Sequence, residues 1–169
     1  MTMIQNLRLP LILFAAIGSG LTAGIFFAFS TFVVMRALAQ QPAESGIAAM
    51  QSINITVINP WFMAAFFGPG VVGLGLAIAA LRQWEQPGAP YWLAGALLYL
   101  IGTIGVTIAG NVPLNDALAV VNPNSAAGVT LWAKYLTDWT FWNHVRTVAA
   151  CLAAAIFTLS LYQPPGLSN

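Results

Sequence analysis

"LPLILFAAIGSGLTAGIFFAFSTFVVM", residues 9–35, carries no charge between Arg8 and Arg36. A helix needs about 20 such residues to cross a hydrocarbon layer roughly 30 Å thick. A barrel strand would alternate polar with apolar instead. The opening looks like a secretory signal, but its apolar run exceeds the roughly 7–15 residues of a signal core. We therefore read it as a retained span.

The whole chain agrees with that reading. Of its 169 residues, 59% are hydrophobic and 5% are charged, where a soluble domain carries about 25% charged residues. Four acids and five bases cannot build a water-facing surface, so lipid is the expected solvent. A net charge of +1 offers no basic patch for nucleic acid. The single cysteine, Cys151, excludes an internal disulfide and a thiolate cage. The single histidine, His144, excludes bis-histidine haem ligation within one chain.

Charges and turns divide the sequence into four expected spans, at about 9–35, 61–81, 91–110 and 145–162. The expected architecture is all-α: one integral membrane four-helix bundle, up-down-up-down, forming a single domain over 1–169. Ala16, Gly20, Gly24 and Ala28 recur every four residues, and glycines dot the later spans. Such stripes let helix backbones approach closely in lipid. The second and third spans are joined by the short "RQWEQPGAP". The first and third loops are long, and both fall on the same face of the membrane. Short interfacial helices are expected in each. Setting Arg36 and Arg146 aside as site residues, the positive-inside count favours a cytoplasmic N-terminus.

The unusual polar residues collect in those two loops. In "AESGIAAMQSINITVI" (43–58), Ile47, Met50, Gln51 and Asn54 share a helical spacing. Asn59 followed by Pro60 predicts an N-cap opening the second span. In "GNVPLNDAL" (110–118), Pro113 predicts a break or kink, and Asn111 and Asn115 lie four apart. Asp116 is either a solvated loop acid or a site acid at membrane depth. In "DWTFWNHVRT" (138–147), Trp139, Asn143 and Arg146 fall at i, i+4 and i+7, with Trp142 four before Arg146. A lone arginine there needs a partner, and Asp116 is the expected one.

Taken in order, "GIFFAFSTFVVMRAL", "AAMQSINITVINPWF", "NVPLNDAL" and "WNHVRT" resemble the anthrone oxygenase family of small four-helix membrane proteins. The resemblance covers about residues 10–160. It implies a multi-pass protein of the bacterial inner membrane. It also implies oxidation of an anthrone-like or other hydrophobic aromatic substrate by O2, as family relatives in fungal polyketide pathways are thought to do. The family's motifs fall here on Asn54, Asn59, Pro60, Asn111, Pro113, Asn115, Asp116, Trp142, Asn143 and Arg146.

That chemistry asks for an apolar slot, a base and donors for a developing oxyanion. Phe26, Phe27, Phe29, Trp139 and Trp142 are candidates for the slot. Asp116 or His144 is the candidate base, and Arg146 the third catalytic candidate. Asn54, Asn111, Asn115 and Asn143 are candidate substrate-binding amides, with Asn111 and Asn143 donating to the oxyanion beside Arg146. No metal or cofactor is expected. The expected partners are the bilayer and a hydrophobic small molecule, with a homo-oligomer left open. The competing expectation is a non-catalytic scaffold or partner subunit, whose buried polar network fixes helix register.

Overall fold

A computed structural model of the chain describes residues 3–163, which are helical apart from short turns. The first rod is α1 (Met3–Ala28), continued by a wider π-helical stretch, Phe29–Leu38. After a turn come α2 (Ala43–Thr56) and α3 (Pro60–Arg82). The next rod starts as α4 (Ala89–Leu97), widens into π-helix over Leu98–Gly105 and Thr107–Asn111, and ends as α5 (Val112–Ala119). The longest helix is α6 (Ala126–Ser160). Three stretches, Leu7–Leu38, Pro60–Arg82 and Ala89–Ala119, are long and apolar enough to cross a membrane.

Local sequence explains several of these boundaries. Asn59 caps α3 as its position predicts, its Oδ1 accepting from Trp61 N and Phe62 N at 3.1 Å each. Ser125 caps α6 by accepting from Gly128 N at 3.0 Å. Two boundaries differ from the sequence expectation. Pro113 does not interrupt the third span, because the π-helical turns before it run straight into α5 and carry the rod on to Ala119. The residues expected as a separate interfacial helix before 145 are instead the first half of α6. Of the long loops, only the first holds a helix of its own, α2.

In packing, α1 lies along both α6 and α3, while α4 fills the space between α3 and α6. At one end the core is small and dense. Ala15, Ala80, Ala96, Ala150 and Ala153 meet around Trp92, Tyr99 and Phe157, all buried. Pro69 lacks the amide hydrogen that would bond back to Ala65. Thr22 Oγ1 supplies the missing bond to Ala65 O at 3.1 Å, and Tyr99 OH donates to the neighbouring Phe66 O at 2.8 Å. A Cβ at Gly18 would overlap Pro69 Cγ, so this crossing requires glycine. The Gly20/Gly24 pair does not serve in that way. Both are exposed, and a Cβ on Gly24 would meet nothing within 4 Å.

At the other end the core is aromatic. Trp132, Tyr135 and Trp139 stack along α6 with ring centroids 5.6 and 5.9 Å apart. Val34, Ile47, Met50 and Leu118 close around them. Gln51 Nε2 reaches from α2 to Leu118 O at 2.8 Å and Val121 O at 3.0 Å. Both carbonyls lie where α5 ends, and Leu118 O also receives a long 3.4 Å bond from Val121 N. Gln51 thus fastens α2 across the end of the rods.

Candidate functional site

Under α2 lies a cavity of about 270 Å³. Its roof is α2, through Met50, Ile53 and Asn54; Phe26, Phe29, Phe62 and Phe66 supply aromatic surface. Phe26 and Phe66 meet edge to face at 6.1 Å, and Phe62 stacks on Phe66 at 5.9 Å. Trp139 and Arg146 of α6 and Thr107 and Asn115 of the 89–119 rod complete the polar wall. Both rods are π-helical where they border this space, at Phe29 and at Thr107–Ile108. Such widened turns are often found at functional sites.

Arg146 is the one charged residue among those lining the cavity, and it is buried. Its Nε and Nη2 donate to Asn143 Oδ1 at 2.9 and 2.6 Å, and its Nη1 donates to Thr107 Oγ1 at 3.1 Å. Its Cζ sits 3.8 Å from the Phe26 ring centroid and 5.3 Å from that of Trp139. An arginine has five N–H donors. Three are engaged here, which leaves one on each Nη free beside the cavity. Asn143, fully buried, donates to Phe26 O at 2.7 Å and to Ser30 Oγ. One amide therefore couples the arginine to α1. Trp139 Nε1 and Asn54 Nδ2 are buried without a hydrogen-bond partner.

The remaining amides are placed by their own rod. Asn111 is buried and donates to Trp139 O at 3.0 Å, which leaves its Oδ1 unpaired. Asn115 Oδ1 accepts from Tyr135 OH at 2.8 Å. Burial pushes the Tyr135 phenol well above its ordinary range, and the nearby Asn54 amide and Arg146 charge pull it only part of the way back. Tyr135 is thus a neutral donor.

The structure brings Asn54, Asn115, Trp139 and Arg146 to the cavity wall, with Asn111 and Asn143 buried directly behind them. It does not bring Asp116, Trp142 or His144 there: all three are exposed and none lines the cavity. Phe27 also faces outward. The expected Asp116–Arg146 pair is absent: Asp116 is exposed, and Asn143 and Thr107 accept three of the guanidinium's N–H groups in its place. Among the described residues the one salt bridge is Lys134–Asp138, along the outside of α6. No aspartate, glutamate, histidine or cysteine lines the cavity. Tyr135 was missed from the sequence, although its spacing of four before Trp139 places it on the same face. Ser30 and Thr107 gave no stronger signal than any hydroxyl inside a span.

Residues 61–156, more than half of the chain, match the family described as anthrone oxygenase. No curated protein and no solved structure matches the chain.

Proposed function

Because the chain belongs to the anthrone oxygenase family, we propose that its cavity binds a flat hydrophobic aromatic ketone as an anion, for oxidation by O2. The observation that carries this is Arg146, a buried cation facing an apolar slot with two free N–H groups and no carboxylate partner. A charge kept so dry is costly until an anion meets it. An aryl-oxide oxygen is such an anion, and the aromatic rings of Phe26, Phe66 and Trp139 suit the plane behind it.

An anthrone-like ring CH2 loses a proton to water as the substrate ionises, and Arg146 holds the negative charge on the ketone oxygen. This removes the need for a carboxylate or imidazole base in the slot. The anion then passes electrons to O2 and a C–O bond forms at the former CH2 carbon. The resulting hydroperoxide expels water to leave a second carbonyl. Ring CH2 and O2 give ring C=O and H2O, so one oxygen atom enters the product, as in a monooxygenase. We place the protein in the bacterial inner membrane as a four-span, up-down bundle, the C-terminal half of α6 being the fourth span.

The test follows a hydroxylated anthrone by quinone absorbance, with purified protein in nanodiscs. Wild type should outrun the spontaneous reaction. Arg146→Gln should lower kcat/KM by about 100-fold or more, the scale of losing a placed oxyanion donor. His144→Ala and Asp116→Asn should stay near wild type. Protein that adds nothing to spontaneous oxidation overturns the reading. A second reading has its own support: the Asn143–Arg146–Thr107 contacts tie three rods together, as a scaffold's polar network would.

A further inference from the structure

The cavity is closed above by α2 and open to one side. Ile58, Phe67, Ile108 and Val112 all belong to its lining, yet they are 71, 45, 60 and 39% exposed. Its inner end is closed, with Phe26 and Trp139 each 3% exposed and Arg146 7%. Phe67 sits about 10 Å along α3 from its first residue. Phe67, Ile108 and Val112 all lie within helices apolar enough to cross a membrane. Exposed apolar side chains on such stretches face acyl chains, so the opening looks into hydrocarbon and the aqueous side is covered by α2.

Size sharpens this. About 270 Å³ is at or below the bottom of the roughly 300–1,000 Å³ range of small-molecule pockets. A fused ring system with its oxygen on Arg146 would take up most of that enclosed space. A substituent on the opposite edge of the rings meets the exposed side of the lining, where Ile58 and Ile108 are the two most exposed residues.

Resting on the reading of this cavity as an aromatic-anion site, we propose that it is loaded sideways from the bilayer and selects a two-part ligand. The head is a fused aromatic ring with an oxyanion at one edge, and an aliphatic chain from the far edge stays in the membrane through the Ile58–Ile108 lip. The lip is then the chain-selective element, and Arg146 the head-selective one.

Binding without turnover tests it. The probes are 2-hydroxy-1,4-naphthoquinone and the same compound with a decyl chain on the ring remote from the hydroxyl. Each is titrated against protein in nanodiscs and followed by tryptophan emission. The decyl probe should bind wild type at least about tenfold more tightly, as transfer of its methylenes from water into the bilayer beside the opening implies. Membrane partition raises the decyl signal for every variant alike, so the comparison between variants isolates the lip. Ile108→Trp and, independently, Ile58→Trp should each lower the decyl-to-bare affinity ratio several-fold below that of wild type. Ile101→Trp, on the same rod and 65% exposed but outside the cavity, should keep the wild-type ratio. A ratio that both lip substitutions leave at its wild-type value, or that Ile101→Trp lowers equally, overturns the inference. If the bare probe fails to bind at all, the aromatic-anion reading itself is what fails. If binding follows the prediction but no quinone forms, lateral loading stands and the oxidation falls.

Discussion

Tyr135 donates to Asn115 Oδ1 from the middle of the stacked aromatic row on α6. Its acidity decides which role it can fill. Burial raises the phenol, so it stays protonated throughout any ordinary assay and does not act as a base. Loss of the hydroxyl leaves Asn115 without its anchor at the cavity wall. Tyr135→Phe should therefore lower kcat several-fold while the pH–rate profile keeps its wild-type shape. A limb that vanishes in the variant would show that Tyr135 titrates after all. The same scale explains which site residues could be read from the sequence. Asn143 and Arg146 lie three apart on one helix, and the spacing alone put them together. Asp116 and His144 each follow a site asparagine by one residue, and one step turns a helix by about 100°. Both face outward for that reason. Charge alone predicts an acid beside Arg146, whereas amide and hydroxyl oxygens accept its protons here.

At the level of elements, helix positions followed from the apolar runs, and the Asn59–Pro60 start of α3 followed from its capping residues. The widened π-helical turns did not, since no residue type marks them. Pro113 reads as a stop in any α-helical register, and only the neighbouring π-helical stretch lets the rod continue. Small residues misled in the other direction. The regular Gly20–Gly24 spacing is the visible motif, but the close crossing is made by Gly18 against Pro69, which no repeat announces. This yields a paired prediction. Gly18→Val should force α1 from α3, uncouple Thr22 from Ala65 O and markedly lower the thermal midpoint in detergent. Gly24→Val, with open space around it, should leave the midpoint unchanged. A reversed order would mean that the exposed glycine face carries the assembly.

Over the whole molecule, the two ends divide the labour. The alanine-rich end is packed without slack: Ala150 is fully buried, and a Cβ at Gly102 would sit 2.6 Å from Ala149 Cβ. The aromatic end keeps a cavity and a buried cation, neither of which a bundle needs to stay folded. Stability and function should then respond to different substitutions. Ala150→Leu overfills the dense end and should cost about 1–3 kcal/mol, read as a lower thermal midpoint, with the surviving folded protein still active. Arg146→Met keeps the length of the side chain and removes the charge. The lost hydrogen bonds to Asn143 and Thr107, made by a charged group, cost about 1.5–3 kcal/mol each, and relief of the desolvated guanidinium offsets much of that. Its midpoint should stay close to wild type while quinone formation is lost. If Arg146→Met unfolds the bundle instead, the arginine is there to hold α1, α6 and the 89–119 rod together, and the scaffold reading takes the place of the oxygenase one.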